Sequence, residues 1–136
     1  MSLLLKVSGK AALAFIIDGS GVPIEIGLKG HLRVPFNCLI ERVTLLADGE
    51  GSIQVDIWRS TLENFPPSNS DSITGGNEPH ISYGNSYEDS ELEDWDRALS
   101  QGDILAFHVD NLGPVGFRED GESMTRVTIS MQVRKT

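Results

Sequence analysis

The segment that most constrains the fold is the last one, where Val127, Ile129, Met131 and Val133 alternate with Arg126, Thr128, Ser130, Gln132 and Arg134. Successive side chains of an extended chain point to opposite sides, so a period of two over this length describes a strand with one buried and one wet face. Such a strand is not stable alone. It needs hydrogen-bonded neighbours and a second layer against its apolar side. The same parity recurs at Ile53, Val55 and Ile57, with Gln54 and Asp56 opposite. Ile104 to Val109 is shorter and more apolar, as in a strand that is buried on both faces or central in its sheet. Ala12 to Ile17 runs into the turn signature Asp18-Gly19-Ser20-Gly21, and Gly30 to Pro35 offers a short strand closed by proline. Between Leu39 and Trp58, two β-rich runs flank Asp48-Gly49-Glu50-Gly51, which predicts a hairpin because glycine takes the positive φ of a tight reversal.

Two other stretches lack this parity. From Ser60 to Gly76 the chain is rich in Ser, Asn, Pro and Gly, which predicts a long surface loop over about residues 60–78. A second polar Gly-Pro loop is expected over 111–123. In Tyr83 to Leu99, the spacing of Leu92, Trp95 and Leu99 allows one or two helical turns, capped by Ser90 with Glu93 three residues on. Short strands, glycine turns and at most one short helix predict an all-β, antiparallel, jelly-roll-like β-sandwich of about eight strands, in a single domain over residues 1–136.

A chain of 136 residues buries about two thirds of its unfolded surface, enough to fold without staples. The formal net charge of −9 repels phosphate backbones, so nucleic acid is not an expected partner. No run of about 18 apolar residues exists to cross a membrane as a helix, and the start lacks the basic region and long apolar run of a secretory signal. Cys38 is the only cysteine, which excludes an internal disulfide and a multi-thiolate metal site.

No motif carries chemistry. The glycine clusters at 19–21 and 27–30 are not followed by the Gly-Lys-Ser/Thr of a phosphate cradle, and turn geometry accounts for them. His31, His80 and His108 have no partner at metal-ligand spacing. No nucleophile elbow is present, and acids such as Asp56, Asp103 and Asp110 are too many for any pair to stand out as catalytic. The acidic run of Glu88, Asp89, Glu91, Glu93, Asp94 and Asp96 lacks the calcium-loop pattern and reads first as a solvated face, with a calcium site as the alternative. The expectation is therefore a non-enzyme with no cofactor and no metal.

Trp58 shares the polar side of its strand with Gln54 and Asp56. It is read as a contact with another chain, as core or rim packing, or as a platform for a sugar ring. Leu3, Leu4 and Leu5, Phe65 with Pro66 and Pro67, and Phe117 are apolar groups in segments predicted to be exposed. They are candidate partner contacts, unless they fold back onto their own sandwich.

Several blocks resemble small structural proteins and domains of tailed bacteriophages. They are Ala14-Phe15-Ile16-Ile17-Asp18-Gly19, Gly30-His31-Leu32-Arg33-Val34-Pro35-Phe36, Val43-Thr44-Leu45-Leu46-Ala47-Asp48 and Gly51-Ser52-Ile53-Gln54-Val55-Asp56-Ile57-Trp58. Asn64-Phe65-Pro66-Pro67, Asp71-Ser72-Ile73-Thr74 and Gly102-Asp103-Ile104-Leu105-Ala106-Phe107-His108-Val109-Asp110 complete the set, so the likeness spans most of the chain. The heavy acidic run at 88–96 and the polar stretch from Gly113 to Gly121 depart from the pattern. The resemblance implies a virion protein made in the host bacterial cytoplasm. It most resembles a capsid cement or decoration protein on the outer shell, bound to the major capsid protein as a homotrimer. The alternative it implies is a glycan-binding receptor module of a tail fibre or tail tip.

Overall fold

A computed structural model describes residues 9–113 and 124–136. Leu3, Leu4, Leu5, Phe117 and most of the loop expected over 111–123 lie outside them. The strands are β1 (Lys10–Asp18), β2 (Gly27–Arg33), β3 (Cys38–Ser60), β4 (His80–Asp89), β5 (Ala98–Leu99), β6 (Ile104–Asn111) and β7 (Arg126–Lys135). All pairings are antiparallel, in the order β1-β7-β3-β6-β2, with β4 and β5 on the remaining edge of β3. The architecture is a curled, sandwich-like β-sheet, as the alternation predicts, with seven strands among the described residues where about eight are expected.

The missing strand has a clear cause. The hairpin expected around Asp48-Gly49-Glu50-Gly51 does not form; β3 runs through it as one strand of 23 residues. Neither Gly49 nor Gly51 adopts a positive φ. Instead the Asp48 carboxylate accepts hydrogen bonds from the backbone N–H groups of Thr125 and Arg126, both at 3.0 Å, and from the Thr125 hydroxyl. These bonds hold its carboxyl below the usual range and pin β3 to the start of β7. Just beyond that point β3 changes partners. Cys38 to Ala47 pair with β7 and Gln54 to Ser60 with β6, so a bent strand supplies both layers, as happens at the corners of packed sheets.

The interior lies between the layers. Val127, Ile129, Met131 and Val133 are all fully buried, as are Val43 and Leu45, and Val55, Ile57, Phe107 and Val109 answer them from the other layer. The Phe15 and Phe107 rings stack across the interior with centroids 4.5 Å apart. Gly30 makes room for this pair, because a Cβ there would sit 2.6 Å from Phe15 Cζ.

The helical turns expected between Tyr83 and Leu99 are also absent. Leu92 and Asp94 have positive φ values of 49° and 68°, which a right-handed helix does not allow. Asp89 rather than Ser90 caps the segment, accepting from the N–H groups of Glu91 and Leu92. Leu92, Trp95 and Leu99 nevertheless go into the core, carried there by turns and β5. Among the described residues, the short helix that does form is a 3-10 turn at Asn69–Asp71.

Candidate functional site

Each layer has an outer face, and the two differ. On the β1-β7-β3 layer, parity sends Ala12, Ala14 and Ile16 outward from β1, Thr128, Ser130 and Gln132 from β7, and Arg42, Thr44 and Leu46 from the first half of β3. Ile16 is aligned with Thr128, and Thr128 with Leu46, so one row crosses three strands. Ile16 is 56% and Leu46 55% exposed. Single exposed aliphatics are ordinary, whereas two in one row, separated only by Thr128, make an open apolar patch beside the Arg42–Glu88 ion pair. Charges gather towards the strand ends, where Lys10 and Arg134 pair with Glu41 at 3.3 and 3.2 Å.

The β3-β6-β2 layer hides its outer face. Asp56 and Trp58 point outward from the second half of β3, opposite His108 and Ala106 of β6, yet Asp56 is only 3% exposed and Ala106 is fully buried. The cover is the chain between β3 and β4. Its Ser72 forms a bridge with Trp58, its Ile73 N–H bonds to the Ile57 carbonyl, and Pro67, Ile73 and Thr74 are buried beneath it. Phe65, 43% exposed, packs edge-on against His31 of β2, with Pro66 exposed beside it.

Under that cover sits a polar cluster. Asp56 accepts hydrogen bonds from the Ile57 N–H (2.8 Å), Trp58 Nε1 (3.0 Å), Ser72 Oγ (2.7 Å) and Thr74 Oγ1 (3.0 Å). The half-buried Trp58 indole stacks on the His108 ring at 4.7 Å. His108 Nδ1 in turn lies 2.5 Å from Asp110 Oδ1. Carboxyl oxygens of Asp56, Glu78 and Asp110 lie within 4.8 Å of one another, and Glu78 Oε1 is buried without a hydrogen-bond partner. Burial, a hydrogen bond with Asp110 and the negative charges of Asp56 and Asp110 push Glu78 up to about 8. Among the described residues, none of the groups acting on Glu78 is a cation. Asp56 accepts from four donors and Asp110 is engaged by His108 and Glu78, so either a proton on Glu78 or a bound cation would relieve the repulsion among the three acids.

The sequence-derived candidates therefore scatter. Trp58 is tied to Asp56 and His108 at the rim, and Pro67 belongs to the cover. Phe65 and Pro66 remain accessible. The acidic run at 88–96 spends several of its carboxylates on the protein itself. Glu88 pairs with Arg42 at 3.6 Å, Asp89 caps a turn, and Asp96 binds Arg59 at 2.5 Å. Sequence reasoning missed the Ile16–Leu46 row and the Glu78 cluster. The row follows from parity once β1, β7 and β3 are known to be adjacent; Glu78 carries no local signal.

No family model matches the sequence, and no curated protein matches it. Among solved structures, a chain from the capsid of Ralstonia phage GP4 is similar in fold at 11% identity, with 93% of this chain and 84% of that chain covered and a TM-score of 0.52. The fold is similar to that of a phage capsid chain. At this identity the likeness concerns the fold alone. A chain from the Israeli acute paralysis virus particle is 11% identical over 98% of this chain and 74% of its own, with a TM-score of 0.40, too loose a likeness to build on.

Proposed function

We propose that the protein is a structural component of a bacteriophage virion, a cement or decoration protein that binds the outer capsid shell as a homotrimer and stabilises it. The observation that carries this reading is the likeness to the GP4 capsid chain, which takes in 93% of this chain and 84% of that one, so nearly the whole of each is the shared fold. The block resemblance to tailed-phage structural proteins points the same way. The open row of Ile16, Thr128 and Leu46 offers one contact surface, and Phe65 with Pro66 offers another. Leu3, Leu4, Leu5 and Phe117 join them on sequence grounds. Many copies of a rigid module, each adding a modest contact, strengthen a shell through multivalency.

Cryo-electron microscopy of particles assembled with and without the protein tests the proposal. Added density on the shell is expected, and its absence overturns the reading. Light scattering on the purified protein is expected to give the mass of a trimer.

A second reading is a saccharide-binding module, and one observation favours it. A groove is lined by Ser52, Gln54, His80, Ser82 and Asn111 together with Ile53 and Ile81, and the backbone N–H of Tyr83, 77% exposed, bonds to Ser52 of its wall. Hydroxyl and amide groups with an exposed aromatic residue next in the chain suit a sugar. Glycan-array binding that disappears in Tyr83→Ala would favour this reading over the shell.

A further inference from the structure

We propose that Glu78 and Asp110 share a proton that latches the chain between β3 and β4 onto the sheet, and that this latch slackens as the medium turns from acid to alkaline. The argument begins with what the covering segment holds on to. Residues 61–79 lie over the outer face of β3 and β6 and are held at several points, among them the Ile73 N–H on the Ile57 carbonyl and the Val55 N–H on the Pro79 carbonyl. Ser72 and Thr74 hydroxyls donate to Asp56, and Glu78, at the far end of the segment, meets Asp110 of β6. The backbone bonds and the hydroxyl donors on Asp56 need no proton shared between acids. The Glu78–Asp110 contact sets one carboxyl group against another, and a proton between them turns it from repulsion into a hydrogen bond.

Among the described residues, the groups around Glu78 are mostly acids. From β3 comes the Asp56 carboxylate, from β6 the Asp110 carboxylate with His108 behind it, and from β4 the His80 ring, whose Nδ1 faces the Glu78 carbonyl rather than its carboxyl. Glu78 Oε1 is buried with no donor, as suits the carbonyl oxygen of a neutral acid, while its hydroxyl serves Asp110.

The direction of the effect follows from linkage. With the segment closed, Glu78 keeps its proton up to about pH 8; freed, it titrates near 4.5. The closed form is therefore fully favoured below about pH 4.5, loses ground as the pH climbs from there to about 8, and changes no further once Glu78 is ionised in both forms. Glu78→Gln keeps a hydrogen-bond donor for Asp110 and removes the charge, so it locks the latch at every pH.

Hydrogen exchange followed by mass spectrometry, with chelator in every buffer, reads this directly. Between about pH 5.5 and pH 8.5, protection of peptides within 61–79, corrected for the intrinsic rate, is expected to fall at least about tenfold in the native chain. It is expected to stay within about twofold in Glu78→Gln, with β7 unchanged in both. Equal protection at the two pH values overturns the proposal. So does an equal fall in Glu78→Gln. Carbon-13 observation of the Glu78 carboxyl in the native chain needs no variant, and a midpoint near 4.5 instead of 8 would also overturn it.

Discussion

The two outer faces start from the same strand and end differently. The first half of β3 sends Thr44 and Leu46 to an open surface, whereas the second half sends Asp56 and Trp58 under a lid of the protein's own chain. The reason lies in side-chain chemistry. Thr44, Leu46 and their neighbours on β1 and β7 ask nothing of a partner within the chain. Asp56 is a charge that needs donors, and the 61–79 segment brings Ser72 and Thr74 to supply them. An uncovered sheet face free of unmet polar demands is available to another molecule; a covered one has already been spent on stability.

The comparison breaks most sharply at Asp56. Replacing it with alanine strands two hydroxyls, an indole N–H and a backbone N–H in a buried setting, so a loss of about 3 kcal/mol in chemical denaturation is expected, with the lid detached. Thr74→Val removes one of the four donors and is expected to cost about 1 kcal/mol by the same measurement. Glu78→Gln separates the faces by pH. The native chain is expected to lose stability from about pH 4.5 to 8, because the folded Glu78 retains a proton that the unfolded one has released, and the variant is expected to lack that slope. At the small end, Ile16→Ser with Leu46→Ser on the open face is expected to change stability by less than about 0.5 kcal/mol. The same pair is expected to abolish co-sedimentation with capsids. Retained binding would move the contact to Phe65 and Pro66.

Much of the sandwich was legible because parity is a local property. The alternation at 127–133 names four residues that turn out fully buried, and Ile53, Val55 and Ile57 do the same for β3. Two Asp-Gly segments show where locality ends. Asp18 to Gly21 makes its turn, with Ser20 and Gly21 at φ 58° and 82° and the Ser20 N–H bonded to Asp18. Asp48 to Gly51 has nearly the same letters and makes none, because Asp48 binds Thr125, 77 residues away. The Glu78 cluster was illegible for the same reason. Asp56 and Asp110 were visible only as two acids among many, and the lid that carries Glu78 to them reads in sequence as an ordinary polar loop.

One consequence of the length of β3 reaches beyond surfaces. Because the same 23 residues complete both layers, with partners drawn from β4, β6 and β7, neither layer can assemble ahead of the other. Folding has to close distant loops before any layer is finished, which favours slow, all-or-none kinetics and leaves no half-molecule able to stand alone. A nick at Gly49 would therefore unravel both layers rather than release one.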